Sequence, residues 1–291
     1  DEDTVSMALT VVRRLIDRYG LCSESVGLLE VSSESLVDRS KSMKTELMSL
    51  LETRGCADVE GVSVYQACDS GATALLDCCR WCDSTSWDGR WALAVSSEVS
   101  VASGRSGVAP AVVVAALIGP DAPVRVEPSL TRQVSPGCDV PLVELHDRVL
   151  HDGAGGPALA LRASEESAFS VWCSSAVVRS LFERRAAAGC WLSAGIGPLR
   201  SAATAVGLAS TLLSGDATVS RETTMIMCGT RSSCLLLSTR VIGDVGTDGF
   251  LRADFLARRP LLPAAFSVVS EERERVCGRL GWTARRRASQ A

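Results

Sequence analysis

Cys68 is the residue of this sequence best placed to act as a nucleophile. An apolar run typical of a buried strand precedes it, and the spacing of residues 71–81 predicts a helix after it. At such a turn the helix N-terminus favours a thiolate, and backbone N–H groups can meet an oxyanion. The stretch therefore indicates acyl-transfer chemistry, with an ordinary buried cysteine at a strand end as the alternative.

Two other sets of residues have chemistry-bearing types, and a structural interpretation is favoured for both. Cys79 and Cys82 have the C-x-x-C spacing of a redox or zinc half-site. No second pair or histidine cluster accompanies them, so we expect a packed helix face and no metal site. The histidines, His146 and His151, lie in a stretch rich in proline and glycine, which predicts solvated loop positions.

The composition is that of a globular protein. Of the 291 residues, 46% are apolar and 22% are charged, which excludes a disordered chain. A net charge of −4 argues against a nucleic-acid-binding surface over the whole chain. The basic run 285–287 is expected to be a solvated tail, with a phosphate-contacting arm as the alternative.

Cysteine usage and hydropathy bear on the compartment. Several of the 12 cysteines lie in apolar runs, which predicts reduced thiols in the cytoplasm or an organelle matrix. The acidic start is unlike a secretory or transit signal, and the sequence leaves open whether one was removed. No apolar run reaches the length of a membrane span, so we expect a protein that is soluble or bound to other proteins.

The elements that must position Cys68 alternate between strand and helix. The patterns predict helices over 7–19, 33–52 and 71–81, strands over 26–31, 61–67 and 91–99, and a turn over 86–90. This order is typical of a layered α/β domain with a largely buried sheet.

After about residue 120 the pattern changes and then repeats. Prolines and glycines accumulate over 120–156, which predicts loops that lead to a second half. Residues 166–185 and 190–213 each predict a strand that runs into a helix, and 223–241 predict a pair of strands with a tight turn. This repeat of the strand-to-helix order of the first part of the chain favours one duplicated α/β architecture.

Four short segments carry a resemblance to a known family. "DRSKSMKT", "DVEG", "ACDSG" and "SWDGR" lie in the order in which 3-hydroxy-3-methylglutaryl-CoA synthases of the thiolase superfamily have them. The chain resembles that family nearly without gaps from Asp3 to about Pro120. The resemblance implies a thiolase-like layered αβαβα fold with duplicated halves. The halves would be residues 1–127, which carry Cys68, and a reduced half, residues 128–291, with the basic tail.

The resemblance also implies roles for three residues. Cys68 matches the cysteine that acetyl-CoA acetylates in the family. Glu34 matches the general acid/base for the condensation with acetoacetyl-CoA. Glu98 lies where the family has an aspartate.

Several positions depart from the family pattern. The catalytic histidine falls at Ser170, the catalytic asparagine at Pro198 and a lysine near the CoA phosphates at Ser175. Asp69 places a carboxylate beside the thiol, which opposes its ionisation. Loss of oxyanion and leaving-group partners typically costs about a hundredfold or more each, which predicts negligible turnover.

Three functions follow from these observations. The favoured one is a degenerate, catalytically inactive synthase-like protein that serves as a structural or interaction subunit of a larger assembly or heteromer. The alternatives are an active synthase that works through acyl-Cys68, and another acyl-thioester transferase. No cofactor is expected, apart from a coenzyme A thioester if the family activity survives.

The resemblance finally implies a partner and a compartment. Thiolase-type chains dimerise through the strand after the cysteine helix, which predicts a homo- or heterodimer through residues 91–99. A reducing compartment is expected, either the cytoplasm or the mitochondrial matrix.

Overall fold

A computed structural model describes a large part of the chain, including most of its first 127 residues. The described residues are 3–36, 38, 40–52, 57–65, 70–99, 111–127, 132–134, 176, 180, 183, 187–197, 199–213, 222–228 and 234–243. The element predicted over 166–185 lies almost entirely outside them.

The helices and strands follow in chain order. The helices with defined bounds are α1 (Thr4–Tyr19), α2 (Met43–Glu52), α3 (Ser70–Cys82), α4 (Ala187–Ile196) and α5 (Ala203–Leu213), with a 3-10 turn at Arg200–Ala202. The strands are β1 (Val26–Ser32), β2 (Ser63–Val64), β3 (Trp91–Val99), β4 (Ala111–Ile118), β5 (Val124–Val126), β6 (Arg132–Val134), β7 (Glu222–Cys228) and β8 (Cys234–Val241).

The residues at its two ends determine where helix α1 begins and ends. The Asp3 side chain accepts a hydrogen bond from Ser6 N at 2.7 Å, and Ser6 Oγ accepts one from Asp3 N at 2.9 Å. This capping box starts the helix at Thr4, three residues before the predicted start. Gly20 ends it at φ 59°, a left-handed conformation that glycine adopts without strain.

The first sheet has the strand order β2-β1-β3-β4. β1 pairs in parallel with β2 and with β3, and β4 is antiparallel to β3. The buried apolar runs predicted over 26–31 and 91–99 are its central strands. The second sheet is built on β8, which pairs antiparallel with β5, β6 and β7. The strand pair predicted over 223–241 is therefore confirmed.

Alternating side chains of the two central strands divide between two cores, and Val112 and Val114 of β4 pack against a third core formed by α4 and α5. Residues such as Leu29 and Leu93 face α1 and α2, and residues such as Leu28 and Ala92 face α3. Leu237 of β8 packs into this second core. The layers therefore run from α1 and α2 through the first sheet and the α3 layer to the second sheet, which agrees with the predicted α/β layering.

Three predicted elements differ from the structure. The helix predicted over 33–52 begins at Met43, because Glu34 and Ser35 instead bond to the end of β3. The strand predicted over 61–67 is confined to Ser63–Val64 among its described residues. The strand predicted before 197 is helix α4, whose buried Leu192 and Ile196 have helical spacing. A short apolar run fits a strand or a buried helix equally well.

Both backbone edges of β3 are largely paired within the chain. β1 occupies one edge over Trp91–Ser96, and β4 occupies the other over Ala92–Val99. The homo- or heterodimer through residues 91–99 stays a prediction, and over 92–96 it would not use backbone pairing to this strand. The described edge strands of this sheet are β2 and β4.

The predicted boundary between the halves falls next to β5. This strand lies within residues 1–127, yet it pairs with β8 of the second half. The division into 1–127 and 128–291 stays a prediction. Among the helices in the described part of the chain, none is long and apolar enough to span a membrane.

Candidate functional site

The candidate site lies where β1 and β3 end, and a segment from the second half reaches it. Residues 33–35 leave the end of β1, Glu98 is the penultimate residue of β3, and the 3-10 turn Arg200–Ala202 packs against both. Parallel neighbours place their carboxyl ends at one edge, so residues far apart in sequence meet there.

Glu98 is the buried centre of this site, with 1% of its surface exposed. Oε2 accepts hydrogen bonds from Ser201 Oγ at 2.7 Å and from the Glu34 backbone N–H at 3.1 Å. The Ser35 hydroxyl is a further partner at Oε1. Three hydrogen-bond donors thus compensate a carboxylate that would otherwise be costly to bury.

Glu34 lies beside Glu98 and forms an ion pair with the second half. Its Oε2 is 3.1 Å from Arg200 Nη1, across 166 residues of sequence. The Glu34 side chain is 13% exposed and that of Arg200 is 46% exposed. The backbone of Glu34 is therefore bound to Glu98 and its carboxylate to Arg200.

The first turn of α3 packs directly on this cluster. A Cβ on Gly71 would overlap the carbonyl oxygen of Ser201 and lie 3.0 Å from Ser96 Oγ. Ser96 Oγ accepts a hydrogen bond from Ser32 Oγ at 2.8 Å. Only glycine lets the helix start approach the turn this closely.

Ser70, the first residue of α3, is completely buried. Its hydroxyl has no hydrogen-bond partner within the described part of the chain. Cys68 precedes it by two residues, so the predicted helix start after Cys68 is confirmed to within one residue.

The structure describes only some of the residues predicted for the site. Glu34 and Glu98 are described and lie together. Cys68, Asp69, Ser170, Ser175 and Pro198 lie outside the described residues, as do His146, His151 and the basic run 285–287. The catalytic roles of Cys68 and Glu34 stay predictions.

Sequence reasoning missed Arg200 and Ser201. The available signal was their place two and three residues after Pro198, in the segment that aligns with the catalytic asparagine. Neither residue type is diagnostic alone, and their contacts with Glu34 and Glu98 span more than 100 residues.

The thiols of α3 form no reactive centre. The pKa of Cys79 is raised to about 12, mainly by burial and also by the nearby Cys82 and Asp83, with Arg80 opposing the rise. Burial also raises the pKa of Cys82, whose Sγ contacts the Ile118 carbonyl oxygen at 3.9 Å. This agrees with a packed helix face. The described residues contain no cluster of three or more His, Cys, Asp or Glu side chains that could hold a metal ion.

The fold matches that of solved synthases over most of the chain. PksG, a HMG-CoA synthase from Bacillus subtilis, superposes with a TM-score of 0.71 over 94% of this chain and 79% of its own, at 19% identity. The HMG synthase of the curacin biosynthetic pathway superposes with a TM-score of 0.75 over 95% and 79%, at 20% identity. These likenesses define a thiolase-like α/β protein.

The sequence of the first half is more specific. Residues 1–123 match the family described as Hydroxymethylglutaryl-coenzyme A synthase N terminal. Residues 1–123 therefore carry the sequence pattern of that synthase N-terminal family, as their motifs predicted.

Curated relatives match over the same segment. The cytoplasmic hydroxymethylglutaryl-CoA synthase of Rattus norvegicus is 44% identical over 125 residues, which are 42% of this chain and 24% of that protein. The mitochondrial synthase of Homo sapiens is 44% identical over 131 residues, which are 44% and 26%. The synthase-like protein AKT4-1 of Alternaria alternata is 44% identical over 129 residues, which are 43% and 30%. The matched segment thus spans about a quarter of the length of these relatives.

Proposed function

We propose that this chain is a degenerate hydroxymethylglutaryl-CoA synthase-like protein that has lost catalytic activity and serves as a structural or interaction subunit. The main observation behind the proposal is the burial and hydrogen bonding of the Glu98 carboxylate. Its carboxylate is buried and bonded to Ser35, Ser201 and the backbone of Glu34. The hydrogen bonds from these three partners engage the buried carboxylate of Glu98 where β3 meets the turn that carries Ser201.

The sequence departures support the same function. The family's histidine and asparagine positions hold Ser170 and Pro198. Neither side chain can act as a general base or donate a side-chain amide to an oxyanion. Cys68 and Glu34 then persist for the fold, and no coenzyme A thioester is turned over.

The partner and the compartment belong to the same proposal. We expect the chain to join a larger assembly or a heteromer, with the division at residue 127 separating its two halves. Relatives named as cytoplasmic and as mitochondrial both support a reducing compartment, cytoplasm or mitochondrial matrix.

Product formation tests the loss of activity. The protein is incubated with acetyl-CoA and acetoacetyl-CoA, and hydroxymethylglutaryl-CoA is quantified by liquid chromatography and mass spectrometry. We expect no product above that of the Glu34→Gln variant. Product that requires both Cys68 and Glu34 would overturn the proposal in favour of an active synthase.

A further inference from the structure

Arg200 has a backbone conformation that its residue type rarely adopts. Its φ is 46°, in the left-handed region that disfavours side chains other than glycine, asparagine and aspartate. Such a conformation persists only when the surroundings hold it, and it is concentrated at functional sites. The contacts of the neighbouring residues must therefore hold the Arg200 backbone in this conformation.

The turn that carries Arg200 is held from two sides. Ser201 is completely buried and donates its hydroxyl hydrogen to Glu98 at 2.7 Å. Its carbonyl oxygen abuts Gly71 of α3 so closely that no Cβ fits between them. Leu199 O accepts a hydrogen bond from Ala202 N at 2.9 Å, which closes the turn.

The Arg200 guanidinium contacts the carboxylate of Glu34, the described residue with a predicted acid/base role. Arg200 Nη1 lies 3.1 Å from Glu34 Oε2, and the Glu34 backbone is itself bonded to Glu98. The guanidinium therefore occupies Oε2, one of the two oxygens that a ligand of this carboxylate could use.

We propose that Arg200 is an internal latch, an autoinhibitory residue that occupies Glu34 and withholds its carboxylate from ligands. This inference rests on the proposed function and adds a cause for it within the site. Arg200 acts on Glu34 through an ion pair and is not itself a catalytic residue.

Carboxyl labelling tests the latch without any need for activity. A water-soluble carbodiimide with glycinamide converts accessible carboxyls to amides, and peptide mass spectrometry resolves the sites. Trypsin cleavage after Arg18 and Arg39 places Glu34 in one peptide with the exposed Glu24, which serves as an internal reference.

Two substitutions of Arg200 separate the effect of its positive charge from the effect of its backbone conformation. Arg200→Asn tolerates the left-handed conformation and removes the guanidinium, whereas Arg200→Lys retains a positive charge. Arg240→Asn is the matched control, because Arg240 is 47% exposed and pairs with Glu127 at 3.7 Å.

We expect Arg200→Asn to raise labelling of Glu34 relative to Glu24 by about two- to fivefold, the range that a partly exposed ion pair supports. Arg200→Lys and Arg240→Asn should leave it near the wild-type level. Unchanged labelling in a folded Arg200→Asn protein would overturn the latch.

A second measurement covers the case in which the variant does not fold. High salt screens the ion pair in the wild type and should raise Glu34 labelling, whereas a salt-independent ratio would overturn the latch. Product formed by the wild type would instead overturn the proposed loss of activity, so the two failures are distinguishable.

Discussion

Glu30 shows how a single buried carboxyl can control stability. It is 6% exposed on β1, and its Oε2 has no hydrogen-bond partner among the described residues. Burial raises its pKa from 4.5 to about 7, although the Val62 N–H lowers it, and Asp77 adds to the rise while Lys44 opposes it. The charged form of Glu30 therefore destabilises the folded chain.

The sign of the pH dependence follows from the raised pKa. The folded chain holds the proton of Glu30 more tightly than the unfolded chain, so this group lowers stability as the pH rises from about 4.5 to about 7. Cys78, which also faces Glu30, has a pKa raised by burial and stays protonated throughout this range. Above pH 7 the loss from Glu30 is complete.

Glu30→Gln should remove this loss. We expect the variant to be more stable than the wild type by about 1–3 kcal/mol at pH 8, because a neutral isostere replaces a buried charge that its partners compensate only in part. At pH 4 the two proteins should differ little. Urea unfolding of both proteins at each pH measures the difference, and an equal gain at both pH values would contradict the assigned cause.

At the scale of elements, the start of α3 depends on its fit to the 3-10 turn Arg200–Ala202. Gly71 contacts the Ser201 backbone directly, and no rotamer change can relieve an added Cβ there. The alanines and leucines that follow pack into the core shared with Leu237. A shift of α3 away from the turn would disturb that core as well.

Gly71→Ala should destabilise the protein by about 3 kcal/mol, at the upper end for overpacking, because the backbone must move. Gly189→Ala is the control. Gly189 lies in α4, and an added Cβ would lie 3.2 Å from the Thr211 side-chain oxygen Oγ1. The alanine gains helix propensity of about 1 kcal/mol. Thermal unfolding of both variants measures the contrast. A Gly71→Ala protein as stable as the control would show that the turn does not pack on α3 as described.

Helices and strands with a clear pattern of apolar residues were predictable from the sequence. Contacts between segments that are distant in sequence were not. The strands β1 and β3 and the helix α3 have unambiguous patterns, and motifs of the first half identified the family. The start of α2 was missed because Glu34 and Ser35 bond to β3 across more than 60 residues of sequence. For the same reason, Glu34 and Glu98 could be named from motifs, whereas their partners Arg200 and Ser201 could not.

At the scale of the whole molecule, residues before 127 and residues after 187 share two hydrophobic cores and one polar junction. Leu237 of the second half packs with α3 and the first sheet, and Ser201 and Arg200 bond to Glu98 and Glu34. Residues 1–123 carry the family's sequence, while the thiolase-like fold extends over most of the chain. The acidic pair of the site is thus part of what joins the halves.

The most direct test of this account is acylation of Cys68. The intact protein is incubated with acetyl-CoA, and its mass is compared with that of the Cys68→Ala variant under the same conditions. We predict no acetyl adduct that depends on Cys68, because the partners of the thioester are missing and the carboxylates beside the site hold the fold together. A stoichiometric adduct on the wild type that is lost in Cys68→Ala would contradict the account.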